Sequence, residues 1–353
     1  MAISVNIKKR YPDFTLDVNF EAKNGVMALL GASGCGKSLT LKCIAGVVKP
    51  DEGFIVADGV TFFDSERKIN LSPQKRRVGL LFQNYALFPN MTVGKNILTG
   101  LSRERGRAVK EEKLKRIVHA FRLEGLEKHY PNELSGGQAQ RVALARILAG
   151  EPGVLMLDEP FAALDSYLKW KLEQELMDTL SAFPGTTLYV SHSRDEVYRL
   201  SQSVCVMQNG KTEPVVHVKS LFTEPKTLSA ALLSGCKNFS HAKRVGENSV
   251  YAADWGVELD CGRSVPEDVS FIGVRAHNLH LSDMQGGSRV KCRVERAVED
   301  VFSHIAVLRP ENALTDSDYA EIRVETQKEL ADQFIVGAPV EVFIRPEDIM
   351  LLK

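Results

Sequence analysis

Along the first sixty or so residues, apolar and polar positions alternate with a period of two. I-S-V-N-I, F-T-L-D-V-N-F and V-M-A-L-L are the clearest runs; each predicts a strand, and the last leads into a glycine-rich loop. From Ser38 the period lengthens: Leu39, Leu41 and Ile44 predict a helix, and G-V-V-K-P closes it with helix-stop chemistry. Residues 107–149 keep the helical period. Leu114, Ile117, Val118 and Phe121 form one apolar face, and Val142, Leu144, Ile147 and Leu148 form another. V-L-M-L (Val154 to Leu157) and T-T-L-Y-V-S-H (Thr186 to His192) then predict strands buried on both faces, the pattern of a parallel sheet. Strands separated by helices imply an α/β core with a largely parallel sheet and a helical insertion at about 84–148.

The pattern changes near Cys236. Short runs follow, S-V-Y-A-A-D-W, V-S-F-I-G-V-R, R-V-K-C-R-V-E, Y-A-E-I-R-V-E and P-V-E-V-F-I-R, separated by turn residues such as G-G-S and R-P-E-N. They predict a second, mostly β domain over 236–353, a small barrel, after a first domain over 1–230. Inside it V-R-A-H-N-L-H-L (Val274 to Leu281) is echoed by I-R-P-E-D-I-M-L (Ile344 to Leu351). An internal repeat and a chance likeness of two strand ends both explain that echo.

Composition adds exclusions. The 353 residues, 44% of them hydrophobic, allow two domains with sizeable cores. Forty-five basic and 45 acidic residues cancel, which argues against a chain that lives on a nucleic-acid backbone; no nucleic-acid partner is expected. The local patches K-K-R (Lys8 to Arg10) and Q-K-R-R (Gln74 to Arg77) read as solvated surface. Six cysteines without C-x-x-C spacing read as thiols in a reducing compartment, not as a disulfide framework or zinc site. The N-terminus has no signal-peptide core, and no run approaches the ~18 apolar residues of a membrane span. The expectation is a soluble cytosolic chain, with any membrane spans supplied by a partner.

The chemistry sits in two glycine-rich stretches. G-A-S-G-C-G-K-S (Gly31, Ala32, Ser33, Gly34, Cys35, Gly36, Lys37, Ser38) matches G-x-x-x-x-G-K-[ST] in full, between a strand and a helix that begins by Leu39. Its backbone N–H groups would converge on phosphate oxygens, with Lys37 reaching the β- and γ-phosphates and Ser38 ligating Mg²⁺. V-L-M-L-D-E-P supplies a metal-side carboxylate, Asp158, and a candidate general base, Glu159. About a hundred residues after the first loop comes L-S-G-G-Q-A-Q (Leu134 to Gln140), a second anion cradle at a helix start.

In order, the glycine loop, Gln83 in L-F-Q-N, L-S-G-G-Q, V-L-M-L-D-E-P, A-A-L-D and S-H resemble the nucleotide-binding domain of ABC ATPases, over about the first 220 residues. The resemblance implies that ATP with Mg²⁺ binds between the glycine loop of one chain and the L-S-G-G-Q of another. The protein would then work as a head-to-tail homodimer. Ser135, Gly136, Gly137 and Gln138 would hold the γ-phosphate of the partner's ATP, and Asp165 would cross the interface. Gln83 would contact Mg²⁺ or the attacking water, and His192 the γ-phosphate. Tyr11 or Phe14 would stack on adenine.

The resemblance extends to importer subunits. Phe82 to Val93 resembles the segment that docks separate integral-membrane permease subunits, and the β domain resembles the accessory barrel of oxyanion, sugar and polyamine importers. D-E-V-Y-R-L, K-R-Y-P-D-F-T-L-D-V-N-F and G-C-K-N-F-S resemble the molybdate branch, so the implied solute is molybdate, with tungstate or sulfate as relatives. A sugar, polyamine or ferric-iron importer is the alternative, then a non-transport ATPase acting on DNA, against which the neutral charge and absent heptads speak. An importer ATPase would sit peripherally on the cytoplasmic side of the membrane, served indirectly by an extracytoplasmic solute-binding protein. The barrel could bind the oxyanion and shut transport off, or be a structural or dimerising domain. Ser193 after His192, where the family commonly has Asp, and L-S-Q-S, which lacks the usual Asp-Arg pair, depart from the pattern and put the bracing of the His loop in question.

Overall fold

A computed structural model describes residues 2–161, 166–282 and 286–353, with backbone only at 166–168. Contacts divide it into two compact units that part between Val218 and Lys219. The sequence pattern puts the change of style at 230–236. By its packing, the intervening helix Leu228–Leu233 belongs with the β unit, Ala231 lying in one apolar cluster with Phe239 and Leu352.

In the first unit five strands run parallel, in the order Ser203–Gln208, Gly25–Leu30, Thr186–Ser191, Val154–Asp158, Val78–Leu81. The strands Val154–Asp158 and Thr186–Ser191 are buried along their whole length, which explains why neither run alternates, and the second run's last residue, His192, lies past its strand and is exposed. An antiparallel layer continues the sheet, with Ala2–Tyr11 paired to both Phe14–Lys23 and Glu52–Ala57. Its inward-facing Ile3, Val5, Ile7, Leu16 and Val18 share one core with Met27, Leu29, Leu41 and Ile44. Each such side chain stabilises the fold by about 1.5–3 kcal/mol on full burial. The helical insertion has its own core, where Val118 meets Ile97, Val142 and Ala145 with Leu114, Ile117 and Phe121 around them. The face around Val118 thus packs on Val142 of the second face, whereas Ile147 of that face lies against Gly79 of the strand Val78–Leu81.

One charged patch is misread by composition. Arg76, from Q-K-R-R, is 1% exposed. Its guanidinium donates to the carbonyls of Cys43 and Ile44 at 2.8 Å each, to Leu71 O and to Asn70 Oδ1, both at 2.9 Å. Those first two carbonyls end the helix Lys37–Ala45, where the backbone dipole is negative and the last C=O groups have no helical partner. The reason for burial is therefore capping. In K-K-R, by contrast, each side chain pairs at the surface: Lys8 with Asp17, Lys9 with Asp51, Arg10 with Glu52.

The second unit contains two antiparallel five-stranded sheets, and a nearly closed five-strand antiparallel barrel lies in this region. Val250, Leu259 and Ile272 of one sheet and Val290, Leu308, Ile322 and Val342 of the other fill a common core with Trp255. The echoed segments adopt one shape. Phe271–Val274 runs through a 3₁₀ turn, Ala276–Asn278, into Leu279–His280; Pro339–Ile344 runs through Pro346–Asp348 into Met350–Leu352. They also exchange partners, since Leu279 pairs with Ile344 while Gly273 pairs with Met350. Among the described residues, no helix is long and apolar enough to cross a membrane.

Candidate functional site

Strand register builds the site. In the parallel sheet Leu30 lies beside Ser191, and Val190 beside Asp158, so three strands end at one edge. The next residues of those strands are Gly31, His192 and Glu159. Leu81 pairs with Leu157, which brings the chain entering Gln83 to the same edge. The carboxyl edge of an open parallel sheet is where α/β folds bind ligands.

The loop from Gly31 to Gly36 turns tightly into the helix Lys37–Ala45. Gly36 needs its glycine: φ is +108°, and a Cβ there would come within 2.6 Å of Leu16. Gly31 is constrained by space, since a Cβ would meet Met207 O at 2.3 Å. Ala32, Ser33 and Gly34 are exposed, whereas Cys35 is buried and Leu39 packs against the core. Lys37 is buried, with Nζ donating to Gly31 O at 2.7 Å and Ala32 O at 2.9 Å. Ser38 Oγ donates to Asp158 Oδ1 at 2.7 Å. Burial raises the Asp158 pKa above the usual carboxylate value, against the Ser38 bond and with help from the neighbouring Glu159.

Glu159 has φ 46°, the left-handed region that a non-glycine residue seldom occupies, and its N–H bonds Val190 O at 3.0 Å. Its Oε2 lies 3.4 Å from His192 Nδ1. Lys37, Ser38, Asp158, Glu159 and His192 therefore converge. Gln83 is exposed in the turn just past Val78–Leu81.

Ser135 to Gln138 form a separate feature. Ser135 caps the helix Gly136–Ala149: its Oγ accepts from Gln138 N at 3.3 Å, and Gln138 Oε1 accepts from Ser135 N at 2.8 Å. Ser135 and Gly136 are exposed, while Gly137 is buried against Leu172. These side chains bond one another, not the glycine loop. Asp165 lies outside the described residues. Tyr11 is 42% exposed, with Lys9 Nζ 5.6 Å from its ring centroid, whereas Phe14, across the hairpin turn, packs toward Gly36 and the core.

Between Gln83 and Val93 the chain takes two left-handed residues, Tyr85 and Ala86. Arg146, from the helix that Ser135 caps, donates to both of their carbonyls at 3.0 and 2.8 Å and lies 5.3 Å from the Phe88 ring centroid. Phe88 and Met91 face solvent.

Sequence reasoning passed over a cluster beneath His192. Glu196, buried on the helix Arg194–Leu200, accepts from Tyr189, Ser191 and Lys169. The available signal was the period of two that puts Tyr189 and Ser191 on one strand face.

An ABC transporter family model matches residues 15–162. A sulfate/thiosulfate import ATP-binding protein of Halalkalibacterium halodurans is 32% identical, the alignment covering 98% of this chain and 96% of that protein. One from Synechocystis is 40% identical over 62% of this chain and 61% of its own length. A molybdenum import ATP-binding protein of Paramagnetospirillum magneticum is 38% identical over 63% and 61%. Among solved structures, a dimeric ATP-binding cassette in a post-hydrolysis state with ADP and Pi superposes with a TM-score of 0.52 at 27% identity, covering 62% of this chain and 99% of that one. A Clostridium perfringens protein, part of an ABC transporter complex, gives 0.53 at 25%, covering 63% and 90%.

Proposed function

Because the chain belongs to the ABC transporter family of ATPases, we propose that it is the ATP-hydrolysing subunit of an importer for a tetrahedral oxyanion. The observation that carries this reading is the convergence of Ser38, Asp158, Glu159 and His192 beside a phosphate loop. The loop N–H groups and Lys37 hold the triphosphate. Ser38 Oγ and Asp158 Oδ1, 2.7 Å apart, are a pair of oxygen donors that fits Mg²⁺. The ion, when bound, would neutralise phosphate charge. Glu159 takes the proton of the attacking water, His192 and Gln83 orient the γ-phosphate and that water, and Tyr11 stacks on adenine. Catalysis is positioning and electrostatics around the transferring phosphoryl group.

Ser135 to Gln138 act on the ATP of a second copy. A capped helix start whose side chains bond one another supports that arrangement, as does the dimer formed by a related cassette. The turn around Tyr85, with Phe88 and Met91 outward, docks the permease subunits. Sulfate and molybdate relatives support the oxyanion class. Within that class the notable stretches Asp195–Leu200 and Gly235–Ser240 favour molybdate.

The Glu159→Gln variant tests the enzymatic part. It should bind ATP, hydrolyse it about 10²–10⁴ times more slowly, and accumulate as a dimer. Full turnover by that variant contradicts the assignment. Uptake of labelled molybdate and sulfate, with the permease present, by the parent chain and by Lys37→Ala tests the solute. Uptake of neither, with sugar or polyamine uptake instead, contradicts it.

A further inference from the structure

His192 has little of its own to hold it. Its side chain is 58% exposed, and the contact to Glu159 at 3.4 Å is longer than a good hydrogen bond. The orientation of the ring must therefore come from the backbone on either side, Ser191 and Ser193. Ser191 is held by its strand pairing beside Leu30 and Ser193 by capping the helix Arg194–Leu200, and one hydroxyl ties the two together. Ser191 Oγ donates to Glu196 Oε2 at 2.7 Å and accepts from Ser193 N at 2.9 Å. A hydroxyl has a single proton, so once the carboxylate takes it only lone pairs face the Ser193 N–H.

The carboxylate is built in with care. Tyr189 OH donates to the same Oε2 at 2.5 Å, which fills both lone pairs of that oxygen. Burial raises the Tyr189 pKa far above its usual value, with Glu196 adding to it, so the phenol stays a donor. Oε1 is met by Lys169 Nζ at 2.5 Å. Glu196 has only 5% of its side chain exposed, and a buried carboxylate without a cation would be costly. Lys169 belongs to the helix Ser166–Ala182, which begins directly after Asp165. A second ion pair joins the same two helices: Arg199 Nε and Nη2 grip Glu173 Oε1 and Oε2 at 2.5 and 2.9 Å. The same helix touches the cap region, where Gly137 lies under Leu172.

We propose that Glu196, charge-paired to Lys169, is the positioning residue for His192, and that the pair ties the His192 turn to the helix following Asp165. The chain with Ser193 in place of the common Asp thus braces its His loop from below. The proposal rests on the ATPase reading above and deepens it.

Steady-state ATP hydrolysis by the full chain, with parallel nucleotide binding, provides the test. Glu196→Gln and Lys169→Met should each lower kcat about tenfold with KM for ATP changed less than about twofold, while Lys169→Arg keeps most of the turnover. In a His192→Ala background neither change should lower the residual turnover further, because the residue they position is gone. Lys169 is partly exposed, so Lys169→Met carries the test if Glu196→Gln does not fold. Unchanged kcat in both variants, or an equal loss with and without His192, overturns the proposal while leaving the ATPase reading intact. An inactive parent chain would instead overturn that reading.

Discussion

Ser38 Oγ and Asp158 Oδ1 are 2.7 Å apart, the hydroxyl at the start of the loop helix donating to a carboxylate at the end of a fully buried strand. That carboxylate is expensive to keep. Its pKa is raised, chiefly by burial, so the folded state holds its proton more tightly than the unfolded chain does. Stability from such a group is present below the unfolded value and is lost as pH rises through the folded one. At neutral pH Asp158 therefore weakens the nucleotide-free fold. Asp158→Asn should raise the melting temperature of the nucleotide-free protein at pH 7 and abolish most ATP turnover. The gain should shrink as pH falls toward about 4. Thermal melts across pH, beside a phosphate-release assay, check both halves.

Arg76 supports the same helix from its other end. Arg76→Ala removes four hydrogen bonds, leaves the Cys43 and Ile44 carbonyls without their cation, and opens a hole. The expected cost is about 3 kcal/mol or more in urea unfolding, and Arg76→Lys should recover only part of it because an ammonium cannot reproduce the guanidinium fork. A cost below about 1 kcal/mol would show that water replaces the guanidinium.

In the barrel, Asn278 and Asp348 occupy equivalent positions of the two echoed segments, and Asn278 Nδ2 donates to Asp348 Oδ1 at 2.7 Å. With the exchanged strand partners, this contact makes the echo a structural repeat about a local two-fold axis. Asn278→Asp would set two carboxylates against each other, so one would titrate at a raised pKa. The variant should be about 1–3 kcal/mol less stable than the parent at pH 7, with the gap closing as the pH drops below about 5. Chemical unfolding of the two proteins at several pH values measures it.

These cases mark how far the sequence could be read. The glycine loop, the strand Val154–Asp158 and the helical faces around Val118 and Val142 are local patterns, and local patterns are legible. The barrel was visible as short runs, but the Asn278–Asp348 contact was not, because reciprocal pairing is a long-range property. Arg76 looked like surface because a run of charges usually is surface; only the helix end above it gives the reason for burial. Glu196 was hidden for a related cause. A carboxylate four residues after a histidine carries no signal until the fold brings Lys169 and Tyr189 to it. Sequence named His192 and Glu159, but their meeting depends on the register of Val190 with Asp158.

One measurement addresses the shared catalytic pocket most directly. Lys37→Ala disables the phosphate loop of a chain and Ser135→Arg its cap, so each variant alone should fail to hydrolyse ATP. Mixed in equal amounts, they should regain about a quarter of the parental activity, since half of randomly formed dimers keep one intact composite site. Recovery at that level supports a site built from two chains. No recovery, or full activity from Ser135→Arg alone, would contradict it.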